Sequence, residues 1–337
     1  MSCIFKATSA DTELYETQLR DFLPESFIDI HSHLAPAHTV ATPCKERLER
    51  YWMLRIPFAQ TAEEYARAYE DLFPGKRVTS VAFAMPILES DLPAQNEYVL
   101  RSARENPRII PFYVARPHET EAELEDAVSR GFVGLKPYPD LVESDHPGEE
   151  AIEEFFTPAM CEVAERHALP VVLHIARAQR FADPRNIDEL LRISERWPSV
   201  RLIIAHLGRS FNPMYLEKGL ELLNGACPWH YDFSAVTNPE VLAMALAAIP
   251  RTRLCFGLDN PVMLSRGYYE FPSPDRYAVH INGYNLDDPA QPPLAYRILL
   301  GFKEAAQELS LSREEVQQIF LQNACDVLRL PTEQFNP

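Results

Sequence analysis

Apolar residues fall into eight short runs, each followed by a stretch with helical periodicity. The runs are residues 27–33, 78–85, 108–115, 132–136, 170–175, 201–206, 229–234 and 253–259. Most are nearly continuous in Val, Ile, Leu and Phe rather than alternating. That pattern belongs to parallel strands buried on both faces. The intervening helices carry punctuation. Thr120 and Glu123 form a capping box, with Gly131 placed as the C-terminal cap. Asp183-Pro184 reads as an N-cap followed by a first-turn proline, and Ser312 with Glu315 repeats the capping box near the end of the chain.

Eight strands separated by helices predict an α/β fold, a (β/α)8 TIM barrel, as one domain over 1–337. A doubly wound open sheet is the competing architecture, but no G-x-G-x-x-G turn occurs. Residues 1–26 form an N-terminal extension. Two connections are long: 34–77 after the first strand, with helical pieces around 44–55 and 61–72, and the proline-rich 260–297 after the eighth. Both leave the C-terminal ends of strands, where barrel enzymes build their sites, so lids or specificity walls are expected there.

Composition narrows the class of function. The chain is 46% hydrophobic and 24% charged, and 49 acidic against 32 basic residues give a net charge of −17. Nucleic acid and anionic membrane partners need a basic footprint, so neither is expected. A small anionic substrate needs only a local group of arginines. The six cysteines are scattered without a C-x-x-C pair, as in reduced, mostly buried cytoplasmic thiols. The polar N-terminus does not read as a secretory signal, and the longest apolar run, 241–249, is far too short to span a bilayer.

Candidate chemistry gathers at strand ends. His31 and His33, two positions apart, project to one face of strand one. Strand five ends in His174, strand six in His206 and strand eight in Asp259. Closing a barrel brings these ends to one mouth, and a metal needs three or four N/O ligands plus an open position. Arg116, Tyr138, Arg177 and Arg209 follow other strand ends and are candidate substrate contacts, since arginine binds carboxylates bidentately. Lys136 ends strand four. It reads as a substrate anchor, a bridge between two metals or one half of a structural ion pair. Asp29 shares the face of His31 and His33 but deeper, and His280 in the second long loop is a further conceivable contact.

The motifs IDIHSH, VVLHIA, IIAHLG and FGLDNP, with Gln322-Asn323-Ala324 in the last helix, make the chain similar to the amidohydrolase superfamily, in particular its amidohydrolase-2 branch. The resemblance implies that His31, His33, His174 and Asp259 bind one catalytic divalent metal. It implies that His206 is a second-metal ligand or a catalytic residue that polarises substrate. Zn²⁺ suits this N/O set, with Mn²⁺ or Fe²⁺ also accepted. A second metal is expected only if Lys136 is carboxylated. The expected reaction is hydrolysis of an amide, lactone or ester bond in a small carboxylated molecule. A metal-activated water would attack and Asp259 would carry its proton. The alternative is non-oxidative decarboxylation, as in aminocarboxymuconate semialdehyde decarboxylases. A cytoplasmic homodimer is the expected state.

Overall fold

In the computed structural model, residues 5–281 and 290–335 are described, and the first apolar run becomes β1 (Ser26–His33), buried along its whole length. β1 pairs in parallel with β2 (Arg77–Phe83), and β2 with β3 (Ile109–Pro111). The fourth run does not form a continuous strand. It contributes Leu135, bridged in parallel to Tyr113 on one side and Val171 on the other. Gly134, where a Cβ would run into the Phe112 ring, and Pro137, which lacks an N–H, leave too little ladder for more. The ring continues through β4 (Pro170–Leu173), β5 (Arg201–Ile204), β6 (His230–Asp232) and β7 (Leu254–Cys255), all parallel. It closes where Ile30 N–H donates to Phe256 O (3.0 Å) and Asp259 N–H to His31 O (2.8 Å). Strands five to eight of the sequence reading are therefore β4 to β7. Several are shorter than the apolar runs predict, because the chain turns out of the ladder towards the mouth.

Two apolar layers flank the ring. Inside it lie Ile28, Ile30, Phe83, Phe112, Val172 and Ile203, closed off by Leu321, Ala324 and Leu328 of the C-terminal helices. Outside it, alternate strand residues such as Phe27, Leu135, Val171 and Phe256 meet the surrounding helices. β1 changes over between these layers part-way along. Opposite the single residue Val81 it places two, Ile30 and His31, between the Asp29↔Ser80 and Ser32↔Ala82 pairs. This bulge turns both residues inward. Asp29 and Ser32, on either side, both bond the helix Ala62–Leu72: Tyr69 donates to Asp29, and the Ser32 and Tyr65 hydroxyls are hydrogen-bonded. Strict alternation misplaces Asp29, which lies on the outer face and not beneath the histidines.

The long connections are ordered elements. The first holds the helix Lys45–Arg50, the 3₁₀ turn Trp52–Arg55 and the helix Ala62–Leu72, capped by a Thr61–Glu64 box. The second is not a plain loop. It carries an antiparallel hairpin of β8 (Gly267–Ser273) and β9 (Arg276–Ile281), while residues 282–289 lie outside the described residues. Pro272 and Pro274 hide this hairpin in the sequence. Pro272 is tolerated because it falls where the β8–β9 register breaks. Asn212 donates to Ser273 O and Arg276 O, and Tyr215 OH to Asp275 O, which ties the hairpin tip to the barrel. Its root is anchored by a buried ion pair of Arg266 with Asp11 (2.9 Å), so the N-terminal extension and the second long connection hold each other.

Cys161, Cys255 and Cys325 are buried, Cys227 is half-buried and Cys44 is exposed, all as free thiols; Cys3 lies outside the described residues. Among the described residues, no helix is long and apolar enough to cross a membrane.

Candidate active site

The bulge sets His31 beside His33 at the open end of the barrel, with ring centroids 5.5 Å apart. Gly257, on the neighbouring strand end, makes room: a Cβ there would lie 3.1 Å from the His31 Cβ. Asp259 follows two residues later. Its Oδ1 is 3.0 Å from His33 Nε2 and 3.8 Å from His31 Nε2. His206 stacks near His31 at 4.6 Å between ring centroids, and Lys136 Nζ is 3.3 Å from His31 Nε2. His174 enters from beyond β4, 5.3 Å from the His206 ring and 4.7 Å from Tyr138.

The hydrogen-bond partners fix the tautomers. His31 Nδ1 donates to Asp232 Oδ2 at 3.0 Å, which leaves a lone pair on Nε2. His33 Nδ1 faces the Ala84 carbonyl at 3.3 Å, and His206 Nδ1 the Ser234 carbonyl at 2.9 Å. The Nε2 atoms of His31 and His206 are therefore acceptors, while His33 Nε2 has the Asp259 carboxylate 3.0 Å away. For His206 this changes the expected role: its Nε2 ligates or takes a proton, and donates to substrate only after it has been protonated. Burial holds His31, His174 and His206 below the ordinary imidazole pKa, with Lys136 adding to the effect at His31 and Arg209 at His174. They are neutral, the form that binds metal.

The site fits a cation. His33 Nε2 and Asp259 Oδ1 face each other at 3.0 Å, a contact that a shared proton or a metal between them satisfies. Three ligand atoms (of His31, His33 and Asp259) lie together, and a second group joins His31, His206 and Asp232. His174 Nδ1 is buried without a hydrogen-bond partner. Burial presses the Asp259 carboxyl up, but the His33 contact and the other imidazoles outweigh it and hold it below the usual carboxylate range. Lys136 is fully buried, its Nζ 4.8 Å from the centre of the Phe83 ring, and burial pushes its pKa down to about 8.

Sequence reasoning missed Asp232. Besides His31 it accepts from His206 N–H (3.0 Å), Ser234 N–H (3.0 Å) and Ser234 Oγ, so one carboxylate orients both flanking histidines. Its signal was weak: it lies inside the run WHYDFS, two residues before its end, and only the structure makes it the last residue of β6. Asp29 supports the same wall from outside, accepting from His31 N–H and Leu258 N–H, and burial raises its pKa to about 7.

The predicted substrate contacts separate. Tyr138, Arg209 and His174 line one cavity of about 440 Å³, together with Arg47, Arg50 and Tyr51 from the first long connection. Arg116 and Arg177 do not reach it. Arg116 pairs with Glu119 at 2.9 Å and lines a neighbouring hollow with Pro117 and His118. Arg177 turns away into the protein, doubly bonded to Glu189 (2.6 and 3.0 Å) and to Asn186 (2.7 Å). His280 is on the outer face of the hairpin, stacked on Tyr268 and paired with Glu270. The roof over the histidines is aromatic instead: Phe211 lies 6.2 Å from the His206 ring, Tyr277 packs on Phe211 at 5.1 Å, and Tyr269 stacks on Tyr277 at 5.7 Å. Trp52 meets Tyr269 at 6.3 Å, so both long connections cover the site.

A family model described as amidohydrolase matches residues 28–330, from β1 to the end of the last helix. The chain belongs to the amidohydrolase family. No curated protein matches its sequence significantly. Solved structures share the fold at low identity. A probable 2-pyrone-4,6-dicarboxylic acid hydrolase from Acinetobacter baumannii, with citric acid bound, is 16% identical over 90% of this chain and 99% of its own (TM-score 0.59). 2,6-Dihydroxybenzoate decarboxylase in complex with 2,6-dihydroxybenzoate is 13% identical over 91% and 100% (0.58). 5-Carboxyvanillate decarboxylase from Novosphingobium aromaticivorans, complexed with manganese, is 12% identical over 97% and 99% (0.56). The ring of eight parallel members in this amidohydrolase is thus the barrel that the sequence predicts.

Proposed function

We propose that this amidohydrolase is a metal-dependent hydrolase that cleaves an amide, lactone or ester bond in a small, carboxylated molecule. The observation that carries this reading is the gathering of His31, His33 and Asp259, whose ligand atoms lie within 4.8 Å of one another, with His33 Nε2 3.0 Å from Asp259 Oδ1. His31, His33, His174 and Asp259 would hold one divalent ion, with Zn²⁺, Mn²⁺ and Fe²⁺ all compatible. When bound, the ion acts as a Lewis acid and makes water a competent nucleophile near neutral pH.

The chain supplies the rest. Asp232 keeps His31 and His206 in the right tautomer and orientation. Asp259 takes a proton on the carboxylate and passes it to the leaving group. His206 Nε2 accepts a proton or a metal contact, while Lys136, Tyr138 and Arg209 donate to the substrate's oxygens. Tyr269 and Tyr277 exclude water from above.

Non-oxidative decarboxylation is the second reading. It uses the same groups, with Asp259 delivering its proton to carbon, and it is supported by the fold shared with two decarboxylases. Incubating the Zn²⁺- or Mn²⁺-loaded protein with carboxylated lactones and with hydroxylated benzoic acids separates the two. Acid release from a lactone, lost on chelation and restored by metal, supports hydrolysis. CO₂ release without acid gain assigns the second reading. Neither product from any member, or activity indifferent to chelator, overturns the metal-dependent reading.

A further inference from the structure

Several partly or fully buried arginines in this acidic protein have carboxylates, and Arg201 and Arg297, which have none, donate to nearby carbonyls at short distance instead. Arg47 bonds Glu89 and Asp140, Arg177 bonds Glu189, and Arg266 bonds Asp11. Arg180 and Arg209 are different. Among the described residues, neither is within ion-pair distance of a carboxylate. Arg209 Nη1 has only long contacts to the carbonyls of Ile175 (3.4 Å), Ala176 (3.3 Å) and Arg177 (3.5 Å). Arg180 Nη1 reaches Arg209 O at 3.4 Å, and its Nε is buried with no partner at all. Instead its guanidinium lies among the rings of Phe211 (5.5 Å), Tyr215 (4.7 Å) and Tyr277 (5.0 Å).

The fold brings Arg180 against the Arg209 segment, close enough for its charge to act on the Arg209 guanidinium. Arg180 and Arg209 come from the loops after β4 and β5, and both have left-handed backbones, φ 56° and 61°. A backbone held there in a non-glycine residue costs free energy that the surroundings must offset. The loops are locked by Phe181, which seats on Gly208 so closely that a Cβ would lie 2.6 Å from its ring. Asn186 fixes the Arg180 carbonyl and is itself bonded by Arg177. Arg177 is therefore a positioning residue for the pair. Acidic groups lining the cavity that Arg209 borders are engaged or exposed. Asp140 belongs to Arg47, Glu150 accepts from the Gly148 amide, and Glu46 and Glu143 are exposed at the rim. Burial and Arg180 both press the Arg209 pKa down, opposed only by tyrosines. Two adjacent, poorly hydrated guanidinium groups without counter-ions are a costly arrangement unless an anion completes them.

We propose that Arg180 and Arg209 form a two-armed receptor for a carboxylate that the substrate carries away from its reacting group. The substrate class is then a planar acid with one polar group at the histidine–aspartate wall and a carboxylate across the ring from it, roofed by Phe211 and Tyr277. This rests on the function proposed above for where the reacting group sits. Arg180 enters as a specificity residue that sequence reading did not single out.

The test is calorimetric binding to the metal-loaded protein, which needs no turnover and so stands apart from the choice of reaction. The probes are benzoate and benzene-1,3-dicarboxylate, the second offering one carboxylate to each end of the site. The dicarboxylate is expected to bind at least about tenfold tighter, since charge-assisted bonds to arginine are the strong ones. Arg180→Gln should shrink that preference to about threefold or less, chiefly by weakening the dicarboxylate. Arg180→Lys, which keeps the charge but not the fork, should fall between. A wild-type protein with no preference, or an Arg180→Gln protein that keeps it, overturns the receptor. So does inorganic phosphate displacing the dicarboxylate at equal concentration, because the pair would then accept any small anion.

Discussion

The two walls of the mouth are built on opposite principles. On the wall formed by β1 and the chain after β7, nearly every polar atom has its orientation fixed: His31 by Asp232, His33 by the Ala84 carbonyl, and Asp259 by its backbone bond to His31. On the wall formed by the loops after β4 and β5, donors are left open: His174 Nδ1, Arg180 Nε and a loosely held Arg209. A preorganised wall costs little to use and suits chemistry that must be repeated unchanged. An open wall is completed only by the molecule it binds, so it selects substrate. The cation that the first wall calls for and the anion that the second calls for are complementary halves of one site.

The largest effect expected is at the ordered wall. Asp259→Asn keeps the side-chain volume but removes the proton carrier, and turnover should drop about 10²- to 10⁴-fold with the circular dichroism spectrum unchanged. Full activity in that variant would dismantle the assignment. Next comes Arg177→Met, which strands Glu189 in the interior; a loss of about 3–5 kcal/mol in denaturant unfolding is expected. Unchanged stability together with weakened substrate binding would put Arg177 back in the mouth. Asp232→Asn removes the acceptor for His31 Nδ1 and should lower metal affinity about 10- to 100-fold in a chelator competition. Last, Arg116→Ala should cost less stability than Arg177→Met and leave KM alone, because the Arg116 side chain is 36% exposed and the buried Glu119 keeps its bonds from the Tyr113 hydroxyl and the residue-116 amide. A large rise in KM would extend the open wall into the neighbouring hollow.

The histidine–aspartate set was the most legible part of both walls. His31, His33, His174, His206 and Asp259 all lie at the ends of apolar runs, and a parallel barrel has one place to gather strand ends. Asp232 ends β6 in the same way, but it lies two residues short of the end of its apolar run, so the sequence does not mark it as a strand end. Arg116 and Arg177 follow strand ends too, yet point elsewhere, because strand ends fix where a backbone emerges and not where a long side chain goes. What Arg177 does is decided by Glu189 twelve residues on, one helical segment away. Arg180 and the tyrosines of the hairpin lie in segments without hydrophobic periodicity, where prolines and left-handed residues set the path. The bulge in β1 was invisible for a related reason: an extra residue changes which face is buried without changing how apolar the run is.

That bulge has a consequence for how the enzyme can be altered. Ile30 packs with the apolar filling of the barrel and His31 bonds Asp232, so the frontier between scaffold and machinery falls at a single peptide bond. Substitutions on the Ile30 side are paid in folding, and those on the His31 side in chemistry. A transplant of new catalytic function onto this barrel could cut at that bond, keeping everything below it as a ready-made chassis. Deleting Ile30 would leave His31 as the single inward residue opposite Val81, so the barrel filling would lose an apolar member there.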